Sequence, residues 1–427
     1  MDGSRSKLAI LLLIRSLGLG GAERQLTNLA KGLAAAGHPV CVALYYPVGP
    51  YLSELQQAGV RVVSLRKGGR WDLIPFLWRL RRLVRLMKPD VLYGLMPTEN
   101  LACLLVSRLL RPRPQVVWGI RTADFEAASY GLLPQVVRAL ERWLVHAPDL
   151  VIANSHRGLE CLGLTADRQH VVIPNGIDTA RFHPATELAR AGRALLKLGD
   201  RVRLVALVGR LDPVKGHGCF LRAAALVARE LEDVRFAIVG SGCAEYRLAM
   251  LRLADELGVS DRLIWQEAVA EIEIVYNAID VLVMSSVSEG FPNVVAEAMA
   301  CGTVVVATDV GDTARVIGKH GQVVPSNQPV ALAAAIVQAL RNHDRRLAAE
   351  RRTWIVDRFG VAALISATED ALKAAPHRAA PHRTWRRRAH WLAHSNRRGA
   401  GTARSSPANS PATGTEIPRG SSDWDRE

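Results

Sequence analysis

With 427 residues, the chain is long enough for two or three domains, each with a sizeable hydrophobic core. The longest early apolar run, residues 8–14, is far shorter than the roughly 18 residues typical of a membrane-spanning helix, and no small-residue cleavage site follows it. The sequence thus argues against a membrane-spanning or secreted protein and predicts a cytoplasmic one. The formal net charge of +15 at pH 7 favours an anionic partner, either nucleic acid or an anionic lipid surface.

Short apolar runs alternate with helical patterns through the first half of the chain. Strands are predicted at residues 7–14, 40–46, 60–65, 91–95, 116–120, 151–153 and 171–173. One helix is predicted to end near residue 37 and another to cover 52–58. Repeated alternation of this kind is typical of a doubly wound parallel sheet.

A glycine-rich turn containing Gly18, Gly20 and Gly21 follows the first predicted strand. A dinucleotide-binding fingerprint would need a third spaced glycine, which is missing. It would also need an acidic residue at the end of the second strand, and none stands there. An NAD site is therefore not expected.

Residues 66–88 form a strongly basic segment, with eight Arg or Lys and one acid, Asp72. Apolar side chains recur in it at approximately helical spacing: Trp71, Ile74, Leu77, Trp78, Leu83 and Leu86. An amphipathic helix of this type can lie on anionic lipid, with its arginines reaching the head groups and Trp at the interface. An ordinary helix with its apolar side inward and its arginines in water fits the same pattern, so both interpretations stay open.

The second half repeats the alternation, with strands predicted at 202–208, 234–239, 281–286 and 303–308 and a helix at 332–340. Arg210 and Lys215 follow the first of these strands, at the edge where open α/β sheets bind ligands. An Arg fork and a Lys ammonium in one loop can hold a diphosphate and neutralise leaving-group charge without a divalent metal. The alternative is a pair of solvated basic residues.

Six cysteines stand at positions 41, 103, 161, 219, 243 and 301, with no close pair and no nearby histidine cluster of metal-ligand spacing. They are typical of small buried hydrophobic residues in a reducing compartment. No metal site and no cofactor are expected.

Residues 281–311 are predicted to form a strand, a loop with Glu289, a helix from about Pro292 with Glu297, and a second strand. A loop that opens a helix directs backbone amides and the positive end of the helix dipole at its ligand, which favours an anion. Eight helical residues span about 12 Å, whereas paired glycosidase carboxyls lie roughly 5 to 9.5 Å apart. The two acids are thus expected to contact different parts of one long ligand, unless they are a turn residue and a solvated helix residue.

The segment SEGFPNVVAEAMACG, at 288–302, resembles the E-x7-E signature of a large family of retaining nucleotide-sugar glycosyltransferases with the GT-B fold, the glycosyl transferases of group 1 and family 4. GGAE at 20–23, PNGID at 174–178 and GRLDPVKG at 209–216 resemble other motifs of this family. The similarity covers about residues 7–374. It implies an α/β protein of two Rossmann-like, doubly wound domains that face each other across a cleft.

By this resemblance, residues 1–183 form the acceptor-side domain and residues 184–355 the domain that binds the nucleotide sugar. A C-terminal helix at 356–374 crosses back to the first domain. The remainder, 375–427, is rich in Pro, Ser, Gly and Arg and is predicted to be a disordered basic tail.

The resemblance also implies roles for the residues that match the family motifs. Arg210 and Lys215 would stabilise the departing diphosphate and Glu289 would orient the sugar, so these three are the catalytic candidates. Glu297 would bind the ribose hydroxyls. The other donor-binding candidates are Gly20, Gly21, Gly240, Gly242, Gly290, Phe291, Pro292 and Asn293.

Four residues depart from the family pattern or match it only loosely. Arg121 and Asn154 are candidates for the acceptor or sugar side, although relatives carry a histidine near Arg121 and this chain does not. Glu267 and Val269 stand where a glycine and an arginine are common beside the nucleoside base. The identity of the base is therefore not predicted.

These assignments predict a retaining, metal-independent glycosyltransferase that moves a sugar from a nucleoside diphosphate sugar to a glycan or lipid-linked acceptor. Synthesis of cell-surface polysaccharide or glycolipid is the expected setting, with peripheral contact of residues 66–88 with the inner face of an anionic membrane. Nucleic acid is not the expected partner. Two alternatives remain: a sugar-nucleotide epimerase on a similar scaffold, and a non-catalytic basic protein that binds nucleic acid.

Overall fold

The computed structural model describes residues 7–18, 20–69, 71–121, 132–199, 202–342 and 347–375. These residues contain two parallel β-sheets, one of seven strands and one of six, each covered by helices. Both sheets belong to the same compact unit. The prediction of two doubly wound α/β domains is thereby confirmed.

The first sheet has its strands in the order β3-β2-β1-β4-β5-β6-β7, and all of them pair in parallel. Its strands are β1 Ile10–Ile14, β2 Val40–Leu44, β3 Arg61–Ser64, β4 Val91–Gly94, β5 Gln115–Ile120, β6 Leu150–Ala153 and β7 His170–Val172. The residues of β1 are at most 1% exposed, because a central parallel strand is covered by helices on both faces. Continuous apolar runs in the sequence become buried strands for this reason.

The helices of the first sheet alternate with its strands. They are α1 Gly21–Ala35, α2 Tyr51–Gln57, α3 Leu73–Met87, α4 Pro97–Arg108, α5 Leu132–Leu144 and α6 His156–Glu160. Leu26 and Leu33 of α1 pack into one hydrophobic cluster, and Leu80 of α3 and Cys103 of α4 pack into another.

The second sheet repeats this architecture in the order β10-β9-β8-β11-β12-β13. Its strands are β8 Arg203–Val208, β9 Val234–Val239, β10 Leu263–Gln266, β11 Val281–Met284, β12 Val304–Thr308 and β13 Gln322–Val324. The accompanying helices are α7 Thr186–Leu195, α8 His217–Glu230, α9 Ala244–Glu256, α10 Ile272–Ala278, α11 Asn293–Ala300, α12 Thr313–Ile317 and α13 Pro329–Arg341. The sequence analysis did not identify β10 or β13.

The last two helices pack on different sheets. Helix α14, Ala348–Phe359, contributes Ile355 and Phe359 to the core of the second sheet. Helix α15, Val361–Ala374, contributes Leu364 and Leu372 to the core of the first. The chain thus changes sheets at Gly360, between two helices, and the segment 356–374 is not one continuous helix.

The basic segment 66–88 has two distinct parts. In α3, Phe76, Leu80 and Leu83 are buried, as expected for an ordinary helix of this fold. Trp71, which precedes the helix, and Ile74 and Trp78, in its first two turns, are exposed. The buried group fits an ordinary helix of this fold, and contact of the exposed group with a membrane stays a prediction.

Three smaller predictions concern the cysteines, membrane-spanning helices and the C-terminal tail. Cys41, Cys103, Cys219 and Cys301 are buried as predicted, but Cys243 is exposed. None of the helices in the described ranges combines the length and apolar character that crossing a bilayer requires. The predicted disordered tail lies outside the described residues from position 376 onward.

Candidate functional site

The order of each sheet reverses between two neighbouring strands, at β1 and β4 in the first sheet and at β8 and β11 in the second. Loops that follow the carboxyl ends of such strand pairs form the usual ligand crevice of open α/β sheets. In the second sheet, the loop after β8 carries Lys215 and the loop after β11 carries Glu289. The candidate site is therefore built at these two reversals.

Lys215 and Glu289 are brought together although 74 positions separate them. The Nζ of Lys215 lies 2.7 Å from Oε1 of Glu289, and the hydroxyl of Ser286 donates to the same oxygen at 2.7 Å. Asp212 holds the start of the 213–215 turn, because its side chain accepts a hydrogen bond from the amide of Val214. The Lys215 and Glu289 side chains are mostly buried, at 24 and 13% exposed.

Arg210, the third catalytic candidate, lies apart from this pair. Its Nη2 donates to Oδ2 of Asp212 at 2.8 Å, and its side chain is 65% exposed. In this arrangement Arg210 borders the site without contacting Glu289. Its role at the diphosphate stays a prediction.

Gly216 and Gly240 hold the strand-end loops of the second sheet close together. Both have positive φ, at 68° and 153°. A Cβ at Gly216 would overlap the carbonyl oxygen of Ser285, and one at Gly240 would overlap that of Gly209. A Cβ at Gly242 would likewise overlap Leu211. These glycines therefore serve backbone packing in the structure, and contact of Gly240 and Gly242 with a donor stays a prediction.

We expect Gly216→Ala to destabilise the protein more than Gly258→Ala. Both glycines have φ 68°, but the Cβ position at Gly258 faces open space. An alanine at left-handed φ costs about 1 kcal/mol at either position, and only Gly216→Ala adds the overlap with Ser285. Urea denaturation measures the difference, and equal losses in the two variants would contradict the packing role.

Helix α11 and the loop before it carry five of the nine donor-binding candidates. The N-cap of α11 is Pro292 and its first residue is Asn293, so Pro292 precedes the helix rather than starting it. Phe291 is 5% exposed and packs on Phe359, with ring centroids 5.5 Å apart. Gly290 accepts a backbone hydrogen bond from Asp312. Phe291 thus belongs to the core, and a contact between it and a donor stays a prediction.

Glu297 has partners for both of its carboxylate oxygens. Oε1 lies 2.6 Å from Nη1 of Arg24, and Oε2 accepts a hydrogen bond from the Tyr276 hydroxyl at 2.8 Å. Burial raises the pKa of Glu297, and the neighbouring guanidinium opposes this. A ribose hydroxyl would either share an oxygen with one of these partners or replace it, so the ribose assignment stays a prediction.

A second chain of hydrogen bonds joins the first sheet to α11. Arg121, directly after β5, donates to the Tyr93 hydroxyl at 3.2 Å and to the side-chain oxygen of Asn175 at 3.0 Å. Asn175 in turn donates to the side-chain oxygen of Asn293 at 3.0 Å. A Cβ at Gly21 would lie 3.1 Å from the Asn293 amide nitrogen. Arg121 and Gly21 therefore both border the start of α11.

Asn154 and Gly20 lie at the same edge of the first sheet. The Asn154 amide nitrogen is 3.4 Å from the backbone oxygen of Arg121. Its side-chain oxygen is buried and has no hydrogen-bond partner within the described residues. At Gly20, a Cβ would overlap the side chain of Glu23. The Asn154 side chain thus has an unpaired, buried acceptor near the carboxyl edge of the first sheet, while Gly20 makes room for a neighbouring side chain.

Four residues at the site were not predicted: Arg24, Asn175, Tyr276 and Asp312. The Asp312 carboxylate accepts hydrogen bonds from the amide and ring nitrogens of His156, both at 2.9 Å, and so ties the Gly290 loop to α6. Arg24 directly follows GGAE and Asn175 lies inside PNGID, so the motifs pointed close to them. No sequence signal indicated Tyr276.

Anionic groups would be favoured where α8 begins, because its N-terminus directly follows Lys215. Beside Glu297 a small open cleft is lined by polar and charged side chains of both signs, among them Arg24, Asn28, Tyr51, Glu54, Asp178 and Arg181. A charged end near Lys215 and a polar cleft beside Glu297 suit a long anionic ligand with several hydroxyl groups.

His217 begins α8, is completely buried, and has a pKa lowered to about 4. Burial is the main cause, and the adjacent Lys215 adds to it. Below pH 6.5 the unfolded chain binds a proton at this histidine that the native chain does not bind. The free energy of unfolding therefore decreases as the pH is lowered from about 6.5 to about 4.

We expect the free energy of unfolding to fall by about 2 kcal/mol more between pH 7 and pH 5 in the parent protein than in His217→Gln. Urea denaturation of both proteins at the two pH values measures this difference. An identical pH dependence would show that His217 is protonated to the same extent in the folded and unfolded states.

Two family models match the chain. The model described as Glycosyl transferases group 1 matches residues 202–342, and the model described as Glycosyltransferase Family 4 matches residues 19–181. The two matches cover the strands of the second sheet and all but the first strand of the first.

Similar proteins of known name are glycosyltransferases. The chain is 36% identical over 248 residues to D-inositol 3-phosphate glycosyltransferase 2 of Catenulispora acidiphila, covering 54% of this chain and 57% of that protein. It is 30% identical over 292 residues to the lipopolysaccharide core biosynthesis mannosyltransferase LpcC of Rhizobium leguminosarum. This match covers 65% of this chain and 77% of LpcC. The matched region spans only 42 to 63% of the first four curated relatives.

Solved structures share the fold. HepE of Anabaena, in complex with UDP and glucose, superposes with a TM-score of 0.74 at 22% identity, covering 86% of this chain and 99% of HepE. WaaG, a glycosyltransferase involved in lipopolysaccharide biosynthesis, superposes with a TM-score of 0.65 at 17% identity. This match covers 85% of this chain and 99% of WaaG. At these identities the likeness concerns the fold, which is the predicted GT-B arrangement.

Proposed function

Because the chain belongs to the glycosyl transferases of group 1 and family 4, we propose that it transfers a sugar from a nucleoside diphosphate sugar to a glycan or lipid-linked acceptor. The supporting observation is the pair Lys215 and Glu289, 2.7 Å apart at the sheet reversal where α8 and α11 begin. We further propose that the anomeric configuration is retained and that no metal is needed.

In this proposal Lys215 stabilises the negative charge that grows on the departing diphosphate, assisted by the amides at the two helix N-termini. Glu289, held by Lys215 and Ser286, orients the sugar. Arg210 lies further out and contacts the distal part of the diphosphate. Glu297 binds the ribose after its contact with Arg24 opens.

The acceptor is assigned to the domain of the first sheet, residues 1–183, and the donor to residues 184–355. Arg121 and Asn154 lie at the carboxyl edge of the first sheet and border α11 through Asn175. The unpaired side-chain oxygen of Asn154 and the guanidinium of Arg121, which already donates to Asn175, suit the hydroxyl groups of an acceptor or of the transferred sugar. LpcC is named a lipopolysaccharide core mannosyltransferase, which supports a role in cell-surface glycoconjugate synthesis.

We also propose peripheral contact of the segment 66–88 with an anionic membrane. The exposed Trp71, Ile74 and Trp78 support this part of the assignment. The buried Leu83 does not, because it packs in the core of the first sheet. A lipid-linked acceptor would then be reached from the membrane surface.

A calorimetric screen of UDP, GDP, ADP and their sugars, with EDTA present, tests the donor site. We expect one nucleotide to bind without metal and the Glu297→Ala variant to lose that binding. The screen also identifies the base, for which HepE, solved with UDP, supplies one candidate. Absence of binding by any nucleotide would contradict the proposal.

Two other functions make different predictions. An epimerase would convert the nucleotide sugar without an acceptor, so product analysis in the absence of acceptor distinguishes it. A nucleic-acid-binding protein, suggested by the charge of +15, would bind nucleic acid with a steep salt dependence and would not need Glu289.

A further inference from the structure

Asp312 stands where an aspartate usually caps its own helix, but its side chain has other partners. It directly precedes α12, residues Thr313–Ile317, and its side chain makes no capping hydrogen bond to that helix. An aspartate at this position normally accepts a hydrogen bond from the second or third amide of the helix that it begins. The carboxylate of Asp312 is only 7% exposed and contacts α6, a helix of the first sheet, instead.

Asp312 caps α6 although the two belong to different sheets. The amide nitrogen of His156 lies 2.9 and 3.1 Å from the two carboxylate oxygens, and that of Arg157 lies 3.4 Å from one of them. The ring Nδ1 of His156 is 2.9 Å from the same carboxylate. Backbone donors in the first turn of a helix have no partner within it. Ser155, the N-cap of α6, accepts from the amide of Gly158, so the first two amides are left to Asp312.

The backbone of Asp312 packs against the loop that carries Glu289. Its amide donates to the backbone oxygen of Gly290 at 3.1 Å. At the neighbouring Gly311, φ is 59° and a Cβ would lie 2.3 Å from the backbone oxygen of Glu289. Because the two segments approach so closely, Asp312 has little freedom to move independently of Glu289. The carboxylate of Glu289 is in turn held by Lys215.

The partner helix α6 begins two residues after Asn154, at the carboxyl edge of the first sheet. Asn154 is a candidate for the acceptor or sugar side, and Glu289 is the candidate for orienting the sugar. A short path of covalent and hydrogen bonds therefore joins these two candidates through α6 and Asp312. Reaction rates depend steeply on alignment across such a site, and a misplacement of roughly 1 Å can cost about 100-fold.

We propose that Asp312 is a positioning residue for sugar transfer, which fixes the place of Glu289 relative to the domain of the first sheet. This inference rests on the proposed function, because it concerns the same reaction. The donor contacts assigned to Lys215 and Glu297 lie within the second domain. Nucleotide affinity should therefore not depend on Asp312, whereas the rate of the reaction should.

Length and charge of the side chain make opposite predictions at this position. Asp312→Asn keeps the length and an acceptor oxygen for the α6 amides but loses the charge. Asp312→Glu keeps the charge and adds a methylene group between α6 and the Gly290 loop. If Asp312 acts by its position, the asparagine variant is active and the glutamate variant is not. If only its charge matters, the order is reversed.

Release of nucleoside diphosphate, with water as the acceptor, tests the proposal. The full-length protein is incubated with UDP-glucose, GDP-mannose or ADP-glucose. The water oxygen forms a bond to the sugar carbon, the bond from that carbon to the diphosphate breaks, and the proton of water passes to solvent. Calorimetry with UDP, GDP and ADP gives the nucleotide affinity of the same variants. The matched control is Asp309→Ala, at an exposed aspartate of the same loop.

We expect Asp312→Ala and Asp312→Glu to release nucleotide about 10- to 100-fold more slowly than the parent protein, with unchanged nucleotide affinity. Asp312→Asn and Asp309→Ala should stay near the parent rate. Thermal denaturation shows which variants fold, and the comparison of Asp312→Asn with Asp312→Glu decides the matter even if the alanine variant does not fold.

The outcomes separate this inference from the proposed function. Release at the parent rate by Asp312→Glu, or a loss of nucleotide affinity as large as the loss of rate, would overturn the positioning role and leave the proposed function standing. A parent protein that releases no nucleoside diphosphate from any of the three donors would contradict sugar transfer itself, and this role with it.

Discussion

The Lys215→Ala variant is expected to transfer sugar about 10²- to 10³-fold more slowly than the parent protein, with little change in donor affinity. Lys215 is held beside Glu289 at 2.7 Å and is mostly buried, so its charge acts in a poorly solvated site. The diphosphate would gain negative charge as the glycosidic bond breaks, and we expect the Lys215 ammonium to stabilise that charge more in the transition state than in the bound donor.

Steady-state kinetics and donor titration measure the two effects separately. Lys319→Ala is the matched control, since Lys319 is exposed in the second domain away from the strand-end loops. Arg210→Ala should change kcat in the same direction and by a smaller factor, because Arg210 is exposed and paired with Asp212. An unchanged kcat in Lys215→Ala would remove this residue from the reaction.

Replacement of Glu297 by alanine is expected to cost about 3 to 5 kcal/mol of stability and to abolish nucleotide binding. The stability loss follows from the geometry, because Arg24 and the buried Tyr276 hydroxyl both lose their carboxylate partner. Glu297→Gln keeps the volume of the side chain and serves as the milder variant if the alanine variant does not fold.

The Arg24→Ala variant separates a ribose-binding role from a structural one. It removes the partner that a ribose hydroxyl would replace at Oε1 of Glu297, so we expect nucleotide affinity to be kept or raised even though stability falls. Calorimetry and urea denaturation of both variants give the comparison. If affinity drops in Arg24→Ala as far as in Glu297→Gln, the ribose assignment of Glu297 fails.

Much of the fold was predictable because its signals are local. The apolar runs at 234–239 and 281–286 became β9 and β11 with nearly the same ends, since strands buried on both faces need continuous apolar residues. Strand β13 was missed because its three residues are too few to show a pattern. The break at Gly360 was missed because both flanking segments are helical.

The rotation of α5 could not be predicted from its own residues. Its apolar residues alone suggest a helix packed inward, as the spacing of Leu133, Val136 and Leu140 is typical of a core-facing stripe. In the structure these three residues are exposed, whereas Glu141 on the same helix is buried and bonded to Asn100 of another helix. Only the three-dimensional arrangement shows which side of an amphipathic helix has a partner inside the protein.

The sequence by itself determined the two doubly wound sheets, the family, and the motifs that contain Lys215, Glu289 and Glu297, because strand and helix periods and motif spacing are properties of short segments. The tertiary structure alone decided which of these residues meet. Lys215 reaches Glu289 across 74 positions, and Arg24 reaches Glu297 across 273. Such contacts depend on how loops from separate strands converge at a sheet edge and on how the two sheets approach each other, and no local pattern encodes that geometry.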